Sequence, residues 1–372
     1  MYQKGRAWIE LNLDNLKNNV QEFQNILPVT CQLMPAVKAD AYGHGALPIS
    51  KALQKFGIEN FCVASAVEGI ELRKAGIKGQ ILILGYTHPE LFPELSKYGL
   101  TQTVVDYDYA KTLNRFGKKL NVHIGVDTGM HRLGERYNDL NRILDMWNME
   151  NLHISGVFSH LCVSDGSSKE EQSYTEGQIQ DFQNLIQSLR HAGVPHFQTH
   201  LQGSYGVLNY PELQFDFARV GIALYGVLSS PTDLIRSQIL LKPVLSLKAR
   251  IECIHPLHTG EAIGYGLTYT ARYEMKIAVV SIGYADGIPR NLSGNEFALV
   301  KGMRAPFIGR ICMDQLFLDV TGIPDITSGE EVVFIGESGS SFITADVVAS
   351  RADTISNELL SRLGKRLERV II

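Results

Sequence analysis

Several things are scarce in this 372-residue chain, and each scarcity excludes something. No run of about 18 apolar residues occurs, and the opening MYQKGRAWIE has no apolar core of a secretion signal, so no membrane contact by this segment is expected. Cysteine is sparse: five residues, an odd number, with no CxxC pair, which reads as reduced thiols in a cytoplasmic setting. An excess of one charge is missing too. The formal net charge is −4 with acids and bases interspersed, which leaves no electrostatic footprint for nucleic acid. The tail RLGKRLERVII is locally basic and reads as a solvated helix face. No GxGxxG follows the first strand, which disfavours an open dinucleotide-binding sheet. HLQGSYG misses a nucleophile elbow because Gln202 stands at its first glycine. His196 and His200 are four apart, but on a strand with no carboxylate nearby, so no metal site is expected.

What is present is an ordinary globular composition, 45% hydrophobic and 20% charged, at a length that fits two domains. From Gln32 to about Val220, eight short apolar segments alternate with amphipathic ones: QLMPAVKA, FCVAS, QILILG, QTVVD, LNVHIGVD, ISGVFSHL, HFQTHLQ and FDFARVG. Several helical stretches, such as PISKALQKFG and AVEGIELRKAG, close on a C-cap glycine. Eight strand-then-helix units predict a closed (β/α)8 TIM barrel. After SSPTDLIRS the pattern changes to strand after strand, with no long helix until TADVVASRADTISNELLSRLGKRL. The expected division is a barrel over 1–235 and a C-terminal, mainly-β domain over 236–372.

Barrel enzymes place their chemistry at the C-terminal ends of the strands. Those ends carry Lys38, Asp127 with Arg132 just beyond, His160, His200 with Ser204 just beyond, and Arg219 before Gly221. A lysine desolvated in that mouth loses part of its affinity for a proton and becomes a nucleophile; the bland alternative is a strand-edge lysine whose amine reaches water. Arg219 precedes VGIALYG, where small residues expose backbone N–H groups suited to a phosphate.

The segments AVKADAYGHG, VDTGMHRLG, VFSHL, THLQGSYG, FARVGIALYG, AIGYGLTY, VSIGYADG and GRICMDQ, collinear over nearly the whole chain, resemble the alanine racemase family. The resemblance implies pyridoxal 5'-phosphate as cofactor and a head-to-tail homodimer with shared active sites. Lys38 would hold the cofactor as a Schiff base. Tyr42, Ser204, Gly221 and Ile222 would hold its phosphate, the last two through backbone N–H. His160 would lie against the ring, and Arg219, steadied by His200, would face the ring nitrogen. Tyr265 of the partner subunit would be the second base. Arg132 and the Met313 backbone would bind the substrate carboxylate, with Tyr284 and Asp314 at the entrance. Two bases on opposite faces are what racemisation requires, and a phenol of ordinary pKa ~10 needs positive charge nearby to act as one.

Two positions depart from the family pattern. Gly125 stands where many members carry a modified lysine that supports the substrate-binding arginine. Asn357, in TISNELL, stands where alanine-specific members carry a tyrosine. A shorter side chain with both a donor and an acceptor leaves room for serine, while alanine would be rejected only weakly. Asn357, the HIGVDTGMHRLG variant and QGSYGVLNYPEL together resemble the racemase domain of VanT-type membrane-anchored serine/alanine racemases of glycopeptide-resistance clusters. By that resemblance the chain would be a cytoplasmic domain supplying D-amino acid for peptidoglycan precursors. Strict alanine racemisation and basic amino acid decarboxylation are the alternatives; decarboxylases of similar architecture place a carboxylate, not an arginine, at the ring nitrogen.

Overall fold

The computed structural model describes residues 4–372. Its first unit is a ring of eight parallel strands: Gln32–Leu33, Asn60–Val63, Gln80–Ile83, Thr101–Val104, Leu120–Asp127, Leu152–Phe158, Gln198–His200 and Phe217–Ala218. Each of the eight expected segments contributes one. Neighbours pair in chain order, and the last strand pairs with the first, Phe217 opposite Gln32. A bridge between Ala36 and Cys62 closes the ring, with the Cys62 N–H donating to Pro35 O at 2.8 Å. Runs such as Ile81, Leu82 and Ile83 are buried throughout because the barrel interior takes one face and the outer helices take the other. Local signals start those helices where the sequence places them. Ser65 with Glu68 and Ser168 with Glu171 form capping boxes, fixing the entry to Ala66–Lys74 and Lys169–His191.

The second unit is built on a nine-stranded sheet whose longest strand is Leu245–Leu257. The first five-residue strand of the chain, Ala7–Leu11, belongs to it. That strand lies antiparallel to Leu245–Leu257 and parallel to Glu368–Ile371, with all five residues buried. The expected boundary at 235 is therefore corrected at its N-terminal side: AWIEL precedes the barrel in sequence but contributes Ala7, Ile9 and Leu11 to the second core. Ile222 and Val227, from the barrel's last turn, join the same core.

The C-terminal segment also differs from expectation. The single helix expected there is two, Ala345–Arg351 and Ser356–Ser361, broken near Asp353 at φ 56°. The basic tail ends in the strand Glu368–Ile371 rather than on a solvated helix face. Arg369 points inward, where its guanidinium donates to the carbonyls of Gly43, Gly364 and Leu367 at 3.0, 2.8 and 2.7 Å. All five cysteines are free. Among the described residues no helix is long and apolar enough to cross a membrane.

Candidate active site

The C-terminal ends of the barrel strands surround a cavity of about 600 Å³. Its wall includes Lys38, Arg132, Arg219, His160, Ser204 and Asn357, and its one carboxylate is Asp165. Three basic side chains around one carboxylate make a site short of negative charge, which favours anionic ligands.

Lys38 opens an unusual turn. Ala39, Asp40, Ala41 and Tyr42 all have left-handed backbone, with φ of 51°, 55°, 53° and 52°. For residues with a Cβ this costs roughly 1–2 kcal/mol each, so the surroundings must hold it in place. Glu68 accepts from the Ala39 N–H and Asp40 from the Ala46 N–H, both at 2.7 Å. His44 bonds the Ala41 and Tyr42 carbonyls at 3.0 Å, stacks on Tyr225 at 4.4 Å, and is fully buried. Gly43 lies against the helix Ser356–Ser361 so closely that a Cβ would sit 1.9 Å from the Leu360 carbonyl oxygen. The turn thus fixes Lys38 and Tyr42 on the cavity wall and Asn357 on the adjoining helix. Burial, then the charges of Arg132 and Arg219, push the Lys38 amine below its ordinary pKa, toward a neutral nucleophile.

Arg219 is buried and, among the described residues, has no carboxylate partner. It donates to His200 Nδ1 at 2.6 Å, to Ser159 O at 2.7 Å and to His160 Nδ1 at 3.2 Å, over the Phe158 ring. Burial brings it down to about 10, which leaves it charged at neutral pH. Burial, then Arg219, Arg132 and Lys38, holds His160 down to about 3, so it adds no charge. His200 is not on the wall; it lies behind Arg219, and His123 lies behind His200 at 2.8 Å. Sequence reasoning missed His123. Its one signal is Gly156, an interior strand glycine whose Cβ would lie 2.6 Å from the His123 ring.

At the opposite end of the cavity, Ser204 Oγ accepts from the N–H groups of Gly221 and Ala223 at 3.0 and 3.3 Å. Tyr42 Oη occupies the space that a Gly221 side chain would fill, 2.7 Å from its Cβ position. Burial pushes the Tyr42 phenol up to about 12, keeping it a donor. Gly221 and Ile222 line the cavity beside them. Two hydroxyls and backbone N–H groups converge here, in space that Gly221 leaves to Tyr42.

Arg132 is on the wall but exposed, with no side-chain hydrogen bond or ion pair among the described residues. A Cβ at Gly125 would meet Val104 O at 3.1 Å and Thr103 Cγ2 at 3.2 Å, so neutral groups surround that position. Asp127, counted with the mouth from sequence, turns away from it. Its carboxylate accepts from the N–H groups of Gly129 and His131 and from the His131 ring, fixing the loop that carries Arg132. Asn357 Oδ1 accepts from Ser229 Oγ at 2.8 Å, and the Ser229 N–H donates to Tyr205 Oη at 2.6 Å. Neither Ser229 nor Tyr205 was singled out from sequence.

Four expected site residues lie elsewhere in the chain. Tyr265, Tyr284, Met313 and Asp314 are on the second unit, outside the cavity wall. Tyr265 is 69% exposed and Met313 52%. They form one surface: Tyr284 and Ala285 donate to the carbonyls of Cys312 and Met313, both at 3.0 Å, and the Arg310 guanidinium lies 2.8 Å from where a Gly266 Cβ would be. The Arg310 guanidinium thus lies beside the glycine that follows Tyr265.

A lysine at a strand end, an arginine without a carboxylate and a phosphate-type corner in a barrel mouth define a site for an anionic carbonyl coenzyme. Comparison with known proteins narrows this. The profile described as alanine racemase, N-terminal domain, matches residues 11–229, and that for the C-terminal domain matches 244–371, so the chain belongs to the alanine racemase family. It is 42% identical to an amino-acid racemase of Enterococcus faecalis and 40% identical to a serine/alanine racemase of Enterococcus gallinarum, each over 97% of this chain and 51% of the relative. The chain thus spans about half the length of those relatives. The solved structure of alanine racemase from Clostridium difficile 630 superposes with a TM-score of 0.93 at 35% identity, covering 100% of this chain and 97% of that one. The family's cofactor, pyridoxal phosphate, fits the residues present: an amine depressed toward neutrality for its aldehyde, a cationic donor for its ring nitrogen, and the Tyr42, Ser204 and Gly221 corner for its phosphate.

Proposed function

We propose that this chain racemises serine and alanine with pyridoxal phosphate, using Lys38 and the partner subunit's Tyr265 as the two bases of a shared site in a homodimer. The observation that carries this reading is the composition of one cavity: a depressed lysine, a carboxylate-free arginine and a small polar residue, Asn357, around a single space. Tyr265, Tyr284, Met313 and Asp314 form an exposed surface that completes no site within one chain, which supports a second copy as the source of the missing half.

The bound cofactor supplies an electron-withdrawing π-system that makes Cα acidic. Arg132 and the backbone of the partner's Met313 bind and orient the substrate carboxylate. Lys38 moves a proton at Cα on one face, and the partner subunit's Tyr265 moves one on the other. Arg219 would face the ring nitrogen and, keeping its own proton, would leave the cofactor a weaker electron sink than a carboxylic acid would. That arrangement would favour return of a proton at Cα from Lys38 or the partner subunit's Tyr265. This argues against decarboxylation, which profits from a stronger sink. Asn357, held by Ser229, leaves room for a hydroxymethyl group and offers it hydrogen bonds.

The match to about half of each longer relative supports a racemase domain within a larger protein; by the motif resemblance, that protein would be membrane-anchored with this domain on its cytoplasmic side, feeding D-amino acid into cell-wall precursors in a glycopeptide-resistance setting. A chiral product assay on purified protein with L-serine and L-alanine tests the activity. D-serine and D-alanine are both expected; release of carbon dioxide from lysine, ornithine or diaminopimelate without D-product would replace racemisation with decarboxylation.

A further inference from the structure

A row of four side chains crosses the barrel interior from the cavity toward its floor. Arg219 Nη1 lies 2.6 Å from His200 Nδ1, His200 Nε2 lies 2.8 Å from His123 Nδ1, and His123 Nε2 lies 2.8 Å from the Gln80 carboxamide. Gln80 opens its barrel strand and is partly exposed, whereas both imidazoles are fully buried. Phe158 stacks on His200 at 4.7 Å and 8°, and Gly156 leaves room for His123.

The chemistry of the first member sets the direction of every bond. A guanidinium has only donors, so His200 Nδ1 must accept. A neutral His200 then carries its hydrogen on Nε2 and donates to His123 Nδ1. His123 in turn carries its hydrogen on Nε2, and Gln80 must present its carboxamide oxygen, an orientation a carboxamide can adopt by turning end for end. The opposite direction would face two N–H groups at 2.6 Å. Burial, with Arg219 close by, holds both imidazoles below their ordinary range, so neither takes a second proton at neutral pH.

We propose that His123 is a positioning residue for Arg219. By accepting the His200 N–H, it fixes His200 as a hydrogen-bond acceptor toward the guanidinium, with Gln80 terminating the chain at the barrel floor. Removing the acceptor leaves a buried N–H unpaired, and the cheapest relief is rotation or tautomer exchange of His200, which turns an N–H toward Arg219 and displaces it. On the proposed reading that Arg219 would face the cofactor's ring nitrogen, its orientation would matter most in the reacting state, so the loss falls on kcat rather than KM.

The test uses the cofactor-loaded protein and two variants. His123→Phe keeps a flat ring without an acceptor; His123→Asn puts a carboxamide oxygen near the Nδ1 position. The account predicts that His123→Phe lowers kcat about tenfold or more with KM within about threefold, and that His123→Asn restores kcat to within about threefold of the parent. A second measurement does not depend on activity. In the parent protein with 15N-labelled histidine, the ring shifts of both His200 and His123 should report neutral rings with hydrogen on Nε2. Assignment uses the signals lost in His123→Asn and His200→Asn. A His200 found cationic or protonated on Nδ1, an unimpaired His123→Phe, or equal loss in both His123 variants would each overturn the proposal. If His123→Phe does not fold, the ring shifts of the parent protein decide.

Discussion

Asn357 and the buried histidines are the residues whose replacement or titration separates function from scaffold most sharply. A tyrosine at 357 would fill the space left between Ile355 and Ser229 and remove a carboxamide from the wall. Asn357→Tyr is expected to lower kcat/KM for serine about tenfold more than for alanine, since a pocket discriminates one polar group by roughly that factor or better. Equal loss for both substrates in steady-state assays would remove Asn357 from specificity. The histidines set acid stability. Burial lowers His44 to about 4 and His123 and His160 to about 3, against 6.5 for a free imidazole. Below pH 6.5 the unfolded chain binds protons that the folded chain refuses, so stability is full above that value and falls as the pH drops, by about 2 kcal/mol for each histidine at pH 5. Urea midpoints measured between pH 7.5 and 5 should decline accordingly; a flat profile would contradict neutral burial. At this scale the sequence exposed Lys38, Arg219 and Ser204, because each stands where an apolar run stops. It hid His123, Ser229 and Tyr205, which act through contacts with groups 77, 128 and 24 residues away.

The element on which the site turns is the left-handed segment after Lys38. Four residues with a Cβ hold that conformation only because Glu68, His44 and Arg369 bind its backbone and because Gly43 lets the helix Ser356–Ser361 come close. Gly43→Ala combines a φ of +79° with a methyl 1.9 Å from a carbonyl oxygen, so either the turn or the helix must move. We expect a loss of at least about 2 kcal/mol of stability and weakened cofactor retention, read by thermal unfolding and by the bound cofactor's absorption. A variant with parental melting temperature and spectrum would show that the turn tolerates separation from the helix. The eight barrel strands were legible because each is a short apolar run followed by a helical period, a local pattern. The left-handed turn was not, because KADAY has no glycine to announce it. Nor was the inward Arg369 or the fate of AWIEL, whose partners Leu245–Leu257 and Glu368–Ile371 are distant in sequence.

For the whole molecule, the proposed shared site rests on how the two units of the chain divide its residues. The barrel carries Lys38, Arg219 and the phosphate corner on its cavity wall, while the second unit presents Tyr265, Met313 and Tyr284 to the outside. A twofold pairing that brings the exposed surface of one copy over the cavity of another gives two complete sites at once. The most direct measurement is complementation between two inactive homodimers, Lys38→Ala and Tyr265→Phe, dissociated together and allowed to reassemble. A hybrid dimer then contains one site with both bases and one with neither. Since random reassembly makes half the dimers hybrid, racemisation should return to about a quarter of the parental rate. A mixture no more active than its two components would show that Lys38 and Tyr265 do not serve the same site from different subunits.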